Sequence, residues 1–495
     1  MIKKMAASPF IRNVVAYSSA NLVDQSITMV RGFVIRRLLP PEIMGFWNFV
    51  SVIQGVLGIF DFGGISGASR ELPVAAGKGD SEDALKIRSA AFWFTVIQNF
   101  VVGSVALIYI YFIKKTDYLP WQTTAAYAGV VIFFLGTIQS LYSTFYSGAQ
   151  QFVALSRIML AASILDGVAF PLCTYLWGLG GLIAMSIVST LIRASLFFFS
   201  GWVTGFRVRC RIYGNTLKRI LSFGFSLRVV DYPYGVFQMV DILWVTRFLG
   251  LEALALFSLA KAFSMQVIDV TNKTGTVYAM RFLEQTGRKV SKESLAVQMK
   301  QYIIFQLLVM VPLLSWAAFV FLPFVVDRFI PKYSPSNKTF LIFLVSGFFY
   351  VINSGLTNPW VAEKKLVRRG TANLFGLAVM TASVSVQWYV LGNRSISGIA
   401  YASITGQYLY FVYMVFAVGK EYWTYLECLE VVLSVTAGAL WAYLVISFGY
   451  AHIARDVDFV KHLLSTVQTG IVTFLALLPV VIYGFRRSRV LKGWS

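Results

Sequence analysis

Arg37-Leu-Leu-Pro-Pro-Glu42 follows a polar helix of membrane length that begins near Val14, and Arg247-Phe-Leu-Gly-Leu-Glu252 follows a second polar helix that begins at Ser222. The two stretches share an Arg-x-Leu-x-x-Glu pattern and come after the two most polar of the long helices. A repeat in matching positions of two halves indicates a duplicated architecture. In membrane proteins such architectures belong mostly to transporters, which hold substrates between two related helix bundles.

The composition is that of an integral membrane protein. Of the 495 residues, 57% are hydrophobic and 13% are charged, whereas soluble domains carry about 25% charged residues. The net charge is +21, and in a membrane protein such an excess of Lys and Arg collects in cytoplasmic loops. The three cysteines are scattered without a Cys-x-x-Cys pair, so neither a disulfide framework nor a metal site is predicted, and no cofactor is expected.

Apolar stretches of about 20 residues, each long enough to cross a bilayer core, divide the chain. The distribution of Lys and Arg favours cytoplasmic N- and C-termini. The sequence therefore predicts an all-α polytopic membrane protein with two parallel six-helix lobes, 1–202 and 203–420, and a terminal helix pair with a basic tail at 421–495; the longest loop is 64–88. The fourteen spans are predicted at 14–35, 43–63, 89–113, 123–147, 158–178, 180–202, 222–246, 253–277, 301–325, 339–360, 371–392, 396–418, 428–449 and 462–485.

Charged residues inside the predicted spans must be paired, lie near the interface or face water, because a lone ion at the centre of a lipid-exposed helix costs roughly 3 kcal/mol. Asp166 and Arg193 have the same depth in the hairpin of spans five and six, which favours a local structural ion pair. Asp61, beside Gly63-Gly64, favours an interfacial or loop-fixing role.

Span one carries a polar stripe. Its polar residues recur every three or four positions, which places them on one helical face, and a wall of an aqueous cavity is favoured over a polar packing seam. The stripe consists of Ser18, Asn21, Asp24, Gln25, Thr28 and Arg31.

Spans seven and eight each carry an acid and a base one turn apart in their cytoplasmic halves, so these four residues could form one network: Arg228, Asp231, Asp269 and Lys273. Asp241 and Lys261 lie nearer the opposite face. Three adjacent polar spans predict an aqueous chamber with charges of both signs, in which ion pairs exchange partners when an anionic ligand arrives.

The N-terminal block of Arg36-Arg-Leu-Leu-Pro-Pro-Glu-Ile-Met-Gly45, Phe60-Asp-Phe-Gly63 and Arg70-Glu-Leu72 resembles the polysaccharide flippases of bacterial membranes. These O-antigen and exopolysaccharide transporters are related to lipid II flippases and to multidrug and toxin extrusion pumps. The likeness covers the whole chain in span count and is specific mainly in residues 1–80. It implies alternating-access transport of an undecaprenyl-pyrophosphate-linked oligosaccharide across the bacterial cytoplasmic membrane, without enzyme activity, and polysaccharide polymerase machinery as a partner.

The resemblance also implies site residues. In lipid II flippases, cavity cations on helices one, two and eight are taken to meet the pyrophosphate, and the matching candidates here are Arg31, Arg70 and Lys261 or Lys273; Arg228 completes the set of cations. A pyrophosphate needs at least two cations nearby to offset its lost hydration. Four acids would hold these cations in the empty chamber: Asp24, Asp231, Asp241 and Asp269. One of them would bind a coupling H⁺ or Na⁺, unless the membrane potential drives transport.

Three alternatives stay open. One is a flippase for lipid II or another polyprenyl lipid, and another is a cation-coupled multidrug exporter that uses the same aspartates for cationic substrates. The third, a membrane glycan polymerase or ligase, depends on Asp456-Val-Asp458 with His452 and His462, which lie around a short loop better interpreted as solvated. No Gly-x-x-x-x-Gly-Lys-Ser/Thr loop is present, so ATP hydrolysis by this chain is not expected.

Overall fold

The computed structural model describes residues 9–77, 79–114, 120–149, 151–203, 206–211, 213–287, 291–351, 356–357, 359–360, 365–453 and 458–488, and no strand occurs among them. The chain divides into two compact units, Met1–Tyr232 and Pro233–Ser495. The division into lobes at 202 and 420 stays a prediction.

The described residues of the first unit lie mainly in helices. These are α1 (Pro9–Leu38), α2 (Pro41–Ile59), α3 (Gly64–Gly77), α4 (Ser81–Tyr109, continued by a π-helical turn Ile110–Lys114), α5 (Pro120–Gly148), α6 (Phe152–Val203) and most of α7 (Gly214–Phe237). Helices α1 and α5 both pack along α6. The core lies where α3, α4, α5 and α6 meet, around Leu72, Tyr142, Phe145 and Tyr146.

The described residues of the second unit are also mainly helical. Its helices are α8 (Val240–Phe248), α9 (Gly250–Gly287), α10 (Lys292–Phe305), a π-helical turn (Gln306–Met310), α11 (Val311–Phe329), a 3₁₀ turn (Pro331–Tyr333), α12 (Ser336–Tyr350), α13 (Leu366–Ser385, continued by a π-helical turn Val386–Val390), α14 (Ile396–Gly419), α15 (Tyr425–His452) and α16 (Phe459–Ser488). Buried side chains of α12, α14 and α15 form its core, among them Phe348, Phe411 and Val431.

The two repeated stretches are both turns between helices, but their backbones differ. In the first, Pro40 is extended and Pro41 starts α2 at the position where a missing N–H costs nothing. In the second, α8 ends at Phe248 and Gly250 has φ 86°, a left-handed conformation that suits glycine. The shared pattern therefore marks the same kind of junction in each half with a different local solution.

Spans five and six are two helical segments within α6 that meet at Gly178, where the backbone is not helical (φ 55°, ψ −133°). The chain reverses there, because Arg193 contacts Asp166 although 27 residues of straight helix would hold them about 40 Å apart. A Cβ on Gly181 would lie 1.9 Å from the carbonyl oxygen of Cys173, so the reversal is tight. The predicted hairpin around Trp177-Gly-Leu-Gly180 is confirmed.

Two features depart from the simple pattern of spans. The prediction of a loop at 64–88 is wrong, because these residues contain α3, which buries Ala68, Leu72 and Ala75 along one face. Span seven is not one helix, because α7 ends at Phe237 and α8 begins at Val240. Gln238 and Met239 separate the two helices.

Among the described residues, eight helices are long and apolar enough to cross a membrane, one of them the kinked α6. The polar helices α1 and α7 are not among the eight, as expected from their charges. The eight are Ser81–Phe112, Gln122–Gly148, Phe152–Gly201, Gly250–Ile268, Lys292–Phe329, Ile396–Gly419, Tyr425–His452 and Phe459–Arg487.

Candidate functional site

A buried carboxylate with two guanidinium partners lies within the first unit. Asp166 on α6 is 3% exposed at its side chain, and Arg193 donates to its Oδ2 from Nε at 3.0 Å and from Nη2. Arg31 of α1 forms an ion pair with the same oxygen at 3.5 Å. The local pair of Asp166 and Arg193 is confirmed, and Arg31 is an additional partner that the sequence did not predict.

A second carboxylate is held beside this group. Ser163, one turn before Asp166, donates its hydroxyl to Asp24 of α1 and to the carbonyl oxygen of Met159. The guanidinium of Arg31 lies over the ring of Phe170, 4.5 Å from its centroid. We call Asp24, Arg31, Ser163, Asp166 and Arg193 the Asp166 cluster. Its two acids and two bases balance in charge, as buried ions require.

The Asp166 cluster borders a cavity of about 370 Å³ between α5 and α6. Arg193 is the charged residue of its lining, and none of the described residues that line it carries a carboxylate. Uncharged polar side chains of α5 form part of the wall, namely Gln139, Ser140 and Ser143. This cavity of the first unit is therefore suited to a polar or anionic group and not to a cation.

This part of the wall, on α5, was not predicted from the sequence. Polar residues recur on α5 at three- and four-residue spacing, the same signal that identified the stripe on α1. They carry no charge and alternate with large apolar residues such as Leu141 and Tyr142, so the segment has the hydropathy of an ordinary apolar span. The stripe comprises Gly136, Gln139, Ser140, Ser143 and Ser147.

The stripe on α1 is described only in part. Gln25 and Thr28 are half-buried, like Asp24 and Arg31. The side chains of Ser18 and Asn21 lie outside the described residues. The described contacts of the stripe are those of Asp24 and Arg31 with α6, and its interpretation as a cavity wall stays a prediction.

Arg228 of α7 donates to Asp61, with 2.5 Å between Nη2 and Oδ2. Asp61 also accepts from the backbone N–H of Gly63 at 3.0 Å, and its carbonyl oxygen accepts from the hydroxyl of Tyr232 at 2.9 Å. The predicted loop-fixing role of Asp61 is confirmed. The partner of Arg228 was not foreseen, since the sequence suggested a network with residues of spans seven and eight.

Of that suggested network, Asp231 is half-buried on α7. The side chains of Asp269 and Lys273 lie outside the described residues, although both positions fall within α9. Their proximity to Arg228 therefore stays a prediction.

Close backbone packing sets the position of Arg228. A Cβ on Gly224 would lie 2.0 Å from the carbonyl oxygen of Gly63, and one on Gly67 would lie 2.2 Å from that of Ile220. Because glycine has no side chain, the backbone of α7 can contact the backbone at the start of α3. This contact brings Arg228, one turn after Gly224, to Asp61.

Asp241 and Lys261 form a buried ion pair in the second unit. Lys261 Nζ lies 2.7 and 2.9 Å from the two carboxylate oxygens and donates to the carbonyl oxygen of Gln238 at 2.8 Å. Ser403 of α14 donates to Asp241 at 2.9 Å. The side chains are 2% and 12% exposed. The break between α7 and α8 frees the Gln238 carbonyl, which the ammonium group then uses.

Arg70 lies on α3 and not within a spanning helix. Its guanidinium is over the ring of Phe223 at 4.2 Å, 4.0 Å from Glu71, and the side chain is 43% exposed. Glu71 also pairs with Arg219 at 3.1 Å. Arg70 is thus an exposed cation whose charge is partly available to a ligand.

The basic segment that includes Lys365 and Arg368 neutralises an acid in the turn after α14. Both side chains donate to Glu421, which also accepts from the indole N–H of Trp360 at 3.3 Å. Burial alone would raise the pKa of Glu421, but these hydrogen bonds and the two positive charges hold it below its ordinary value. The turn is therefore fastened to the start of α13 by an ionised carboxylate.

The residues of the enzyme alternative do not converge. His462 is buried against the ring of Phe324, 4.9 Å between centroids, and Asp458 accepts from the N–H of Val460 at 3.0 Å. His452 bonds the carbonyl of its own helix, and Asp456 lies outside the described residues. The described members of this group have local structural roles.

Comparison with known proteins agrees with the resemblance. The sequence profile of a family described as "Polysaccharide biosynthesis protein" matches residues 34–332. The chain belongs to this family. No curated protein sequence matches the chain.

Solved structures share the fold across nearly the whole chain. The inward closed lipid II flippase MurJ superposes with a TM-score of 0.68 at 14% identity, covering 95% of this chain and 99% of MurJ. An inward-facing multidrug resistance MATE family transporter of the MOP superfamily gives 0.65 at 13%, covering 89% and 100%. A MOP superfamily transporter from Pyrococcus furiosus, described as having a binding pocket of reverse polarity, gives 0.58 at 16%, covering 82% and 95%.

This member of the polysaccharide biosynthesis family therefore has the fold of MOP superfamily transporters and is a multi-pass membrane protein. The solved structures that share this fold are described as a flippase and transporters, in agreement with the expectation that the chain is not an enzyme.

Proposed function

We propose that the protein is a flippase that moves an undecaprenyl-pyrophosphate-linked oligosaccharide from the inner to the outer leaflet of the bacterial cytoplasmic membrane, for O-antigen, capsule or exopolysaccharide biosynthesis. Membership of a polysaccharide biosynthesis family and a fold shared with a lipid II flippase support the proposal. Fourteen spans with both termini in the cytoplasm, arranged as two six-helix lobes and a terminal pair, are part of it.

The observation that carries the proposal is the sharing of Asp166 by two guanidinium groups beside a cavity. A protein that exports cations would be expected to present carboxylates to its ligand. Here the charged group of the cavity wall is Arg193, and the carboxylate that pairs with it, Asp166, does not line the cavity. Such a wall favours a ligand with oxygen atoms and negative charge.

Arg31 is the cation best placed to bind and release a pyrophosphate. It is 3.5 Å from Asp166, whereas Arg193 makes two hydrogen bonds to the same oxygen. When Arg31 turns toward an anion, Asp166 therefore keeps a partner and no buried carboxylate is left unpaired. Binding and release can then occur by exchange of partners within one cluster.

The remaining members of the predicted site complete the proposal. The cations Arg70, Arg228, Lys261 and Lys273 would assist with the pyrophosphate. A coupling ion, H⁺ or Na⁺, would bind at one of the acids Asp24, Asp231, Asp241 and Asp269, unless the membrane potential drives transport. Membrane lipids surround the protein, and a polysaccharide polymerase would receive the product.

A bacterial strain in which this chain is the only flippase for its surface glycan provides the test. Arg31→Glu should abolish surface glycan, detected with an antibody, while lipid-linked oligosaccharide accumulates and the amount of protein in the membrane is unchanged. Arg31→Lys should retain part of the export. Arg247→Glu, which reverses an exposed cation elsewhere, is the matched control. Normal export by Arg31→Glu would overturn the assignment.

Two related functions remain as outcomes of further tests. A flippase for lipid II or another polyprenyl lipid would use the same cations. A multidrug exporter is favoured by the likeness to the MATE family transporter and by the acids on α1 and α8. Accumulation of fluorescent cationic drugs in cells with and without the protein separates export of drugs from flipping of a glycan lipid.

A further inference from the structure

The hydroxyl and amide groups of α5 differ in whether they are already hydrogen-bonded within the helix. Thr137 and Thr144 donate to backbone carbonyls of α5 itself, at 2.8 and 3.0 Å. Gln139, Ser140 and Ser143, which line the cavity, have no side-chain hydrogen bond to any residue that the structure describes. The side chains facing the cavity therefore keep their hydrogen-bonding capacity for a ligand or water.

The wall that α6 contributes is mainly apolar, with one charged residue. Helix α6 contributes Ile158, Met159 and Phe197 together with Arg193. Asp166 takes two of the five N–H donors of that guanidinium and fixes its plane. The cavity thus offers donors and acceptors on one side, apolar surface on the other and one oriented guanidinium, in a volume typical of small-ligand pockets, about 300–1,000 Å³.

We propose that this cavity is a saccharide subsite, which holds one sugar ring of the lipid-linked glycan; this rests on the proposed flippase function. A sugar ring has hydroxyl groups at its edge and C–H groups on its faces. The polar side chains of α5 match the hydroxyl groups, and the apolar side chains of α6 match the C–H groups. Gln139, Ser140 and Ser143 bond the hydroxyl groups, and Arg193 bonds ring substituents that carry oxygen. The cavity then contributes to the choice of glycan, separately from the pyrophosphate.

The position of the cavity along α5 suits a ligand that enters from the end of this helix. Ser143 is five residues from the last residue, Gly148, which corresponds to about 8 Å, and Gly136 is about 18 Å away. Ser147 continues the polar stripe toward that end. In the proposed topology this end is cytoplasmic, where the glycan is made.

Labelling of single cysteines tests the subsite. In a variant without Cys173, Cys210 and Cys428, Ser143→Cys is reconstituted in lipid nanodiscs and treated with a small uncharged maleimide. Glycan lipid purified from the host cells, at ten times its dissociation constant, should slow labelling about tenfold. Undecaprenyl pyrophosphate without sugar should not slow it. Ser69→Cys, exposed on α3, should be labelled at one rate throughout.

Each other outcome has a definite meaning. Equal protection by both lipids would place the carrier phosphate in the cavity, so the saccharide assignment would be wrong while the flippase proposal stands. The subsite would also be overturned if the unaltered protein binds the glycan lipid but this lipid protects neither Ser143→Cys nor Ser140→Cys. The same holds if neither cysteine can be labelled. Failure of the unaltered protein to bind this lipid would refute the proposed function and the subsite together.

Discussion

Asp241→Asn removes the negative charge that faces the buried ammonium group of Lys261. The carboxylate receives Lys261 at 2.7 and 2.9 Å, the hydroxyl of Ser403 at 2.9 Å and the N–H of Ile242 at 2.8 Å. Asparagine keeps the shape but places an N–H₂ group among these donors. The ammonium then has only uncharged acceptors, the Gln238 carbonyl and the one remaining amide oxygen.

The magnitude follows from burial. Removing one member of a buried ion pair costs about 3–5 kcal/mol, because the other charge remains without compensation. Lys261→Met in the same chain removes that charge, so the double variant should recover to within about 2 kcal/mol of the unaltered protein. Ser403→Ala, which removes one hydrogen bond to a charged group, should cost about 1.5–3 kcal/mol.

Unfolding by SDS titration of the protein in detergent micelles measures these differences. The coupling between positions 241 and 261 is the double-variant change minus the sum of the two single changes. A cost below about 1 kcal/mol for Asp241→Asn, or a double variant no more stable than that single one, would refute the ion pair as a stabilising element. Surface-glycan export by a stable double variant would show whether Lys261 also serves the substrate.

Two further predictions concern packing and pH. Gly224→Ala places a carbon atom 2.0 Å from the Gly63 carbonyl oxygen, so SDS unfolding should reveal a loss of about 1–3 kcal/mol; Gly235→Ala on the same helix meets nothing within 4 Å and should be neutral or slightly stabilising. Because the pKa of Glu421 is lowered, its stabilising contribution is present above about pH 4.3 and is lost as pH falls through the folded-state pKa. Glu421→Gln should therefore lower the melting temperature at pH 7 and by progressively less as the pH falls below about 4.3, and a difference that is constant with pH would contradict this.

The helical membrane fold could be predicted from the sequence, because long apolar stretches and the charges within them are local signals. The pair of Asp166 and Arg193 could be predicted since both residues belong to one hairpin and have the same depth. Arg31 could not be assigned to the same carboxylate, because its contact depends on how α1 packs along α6. No spacing in the sequence encodes that packing.

Other features depend on backbone contacts. Arg228 contacts Asp61 because Gly63 and Gly224 allow two backbones to touch, and the sequence shows only isolated glycines. Helix α3 was missed because its apolar face is short. The uncharged stripe on α5 is visible in the spacing of its polar residues, but serine and glutamine carry no charge that would distinguish them from a polar packing face.

The short loops between paired charges have a consequence for the biogenesis of the protein. Asp166 and Arg193 are 27 residues apart, and Asp241 and Lys261 are 20 residues apart. Each pair joins neighbouring segments, so it can form within a single helical hairpin while the ribosome is still extending the chain. The two charges of each hairpin can then neutralise each other before the hairpin leaves the translocon. This avoids the cost of about 2.5–3.5 kcal/mol for moving each unpaired charge into lipid.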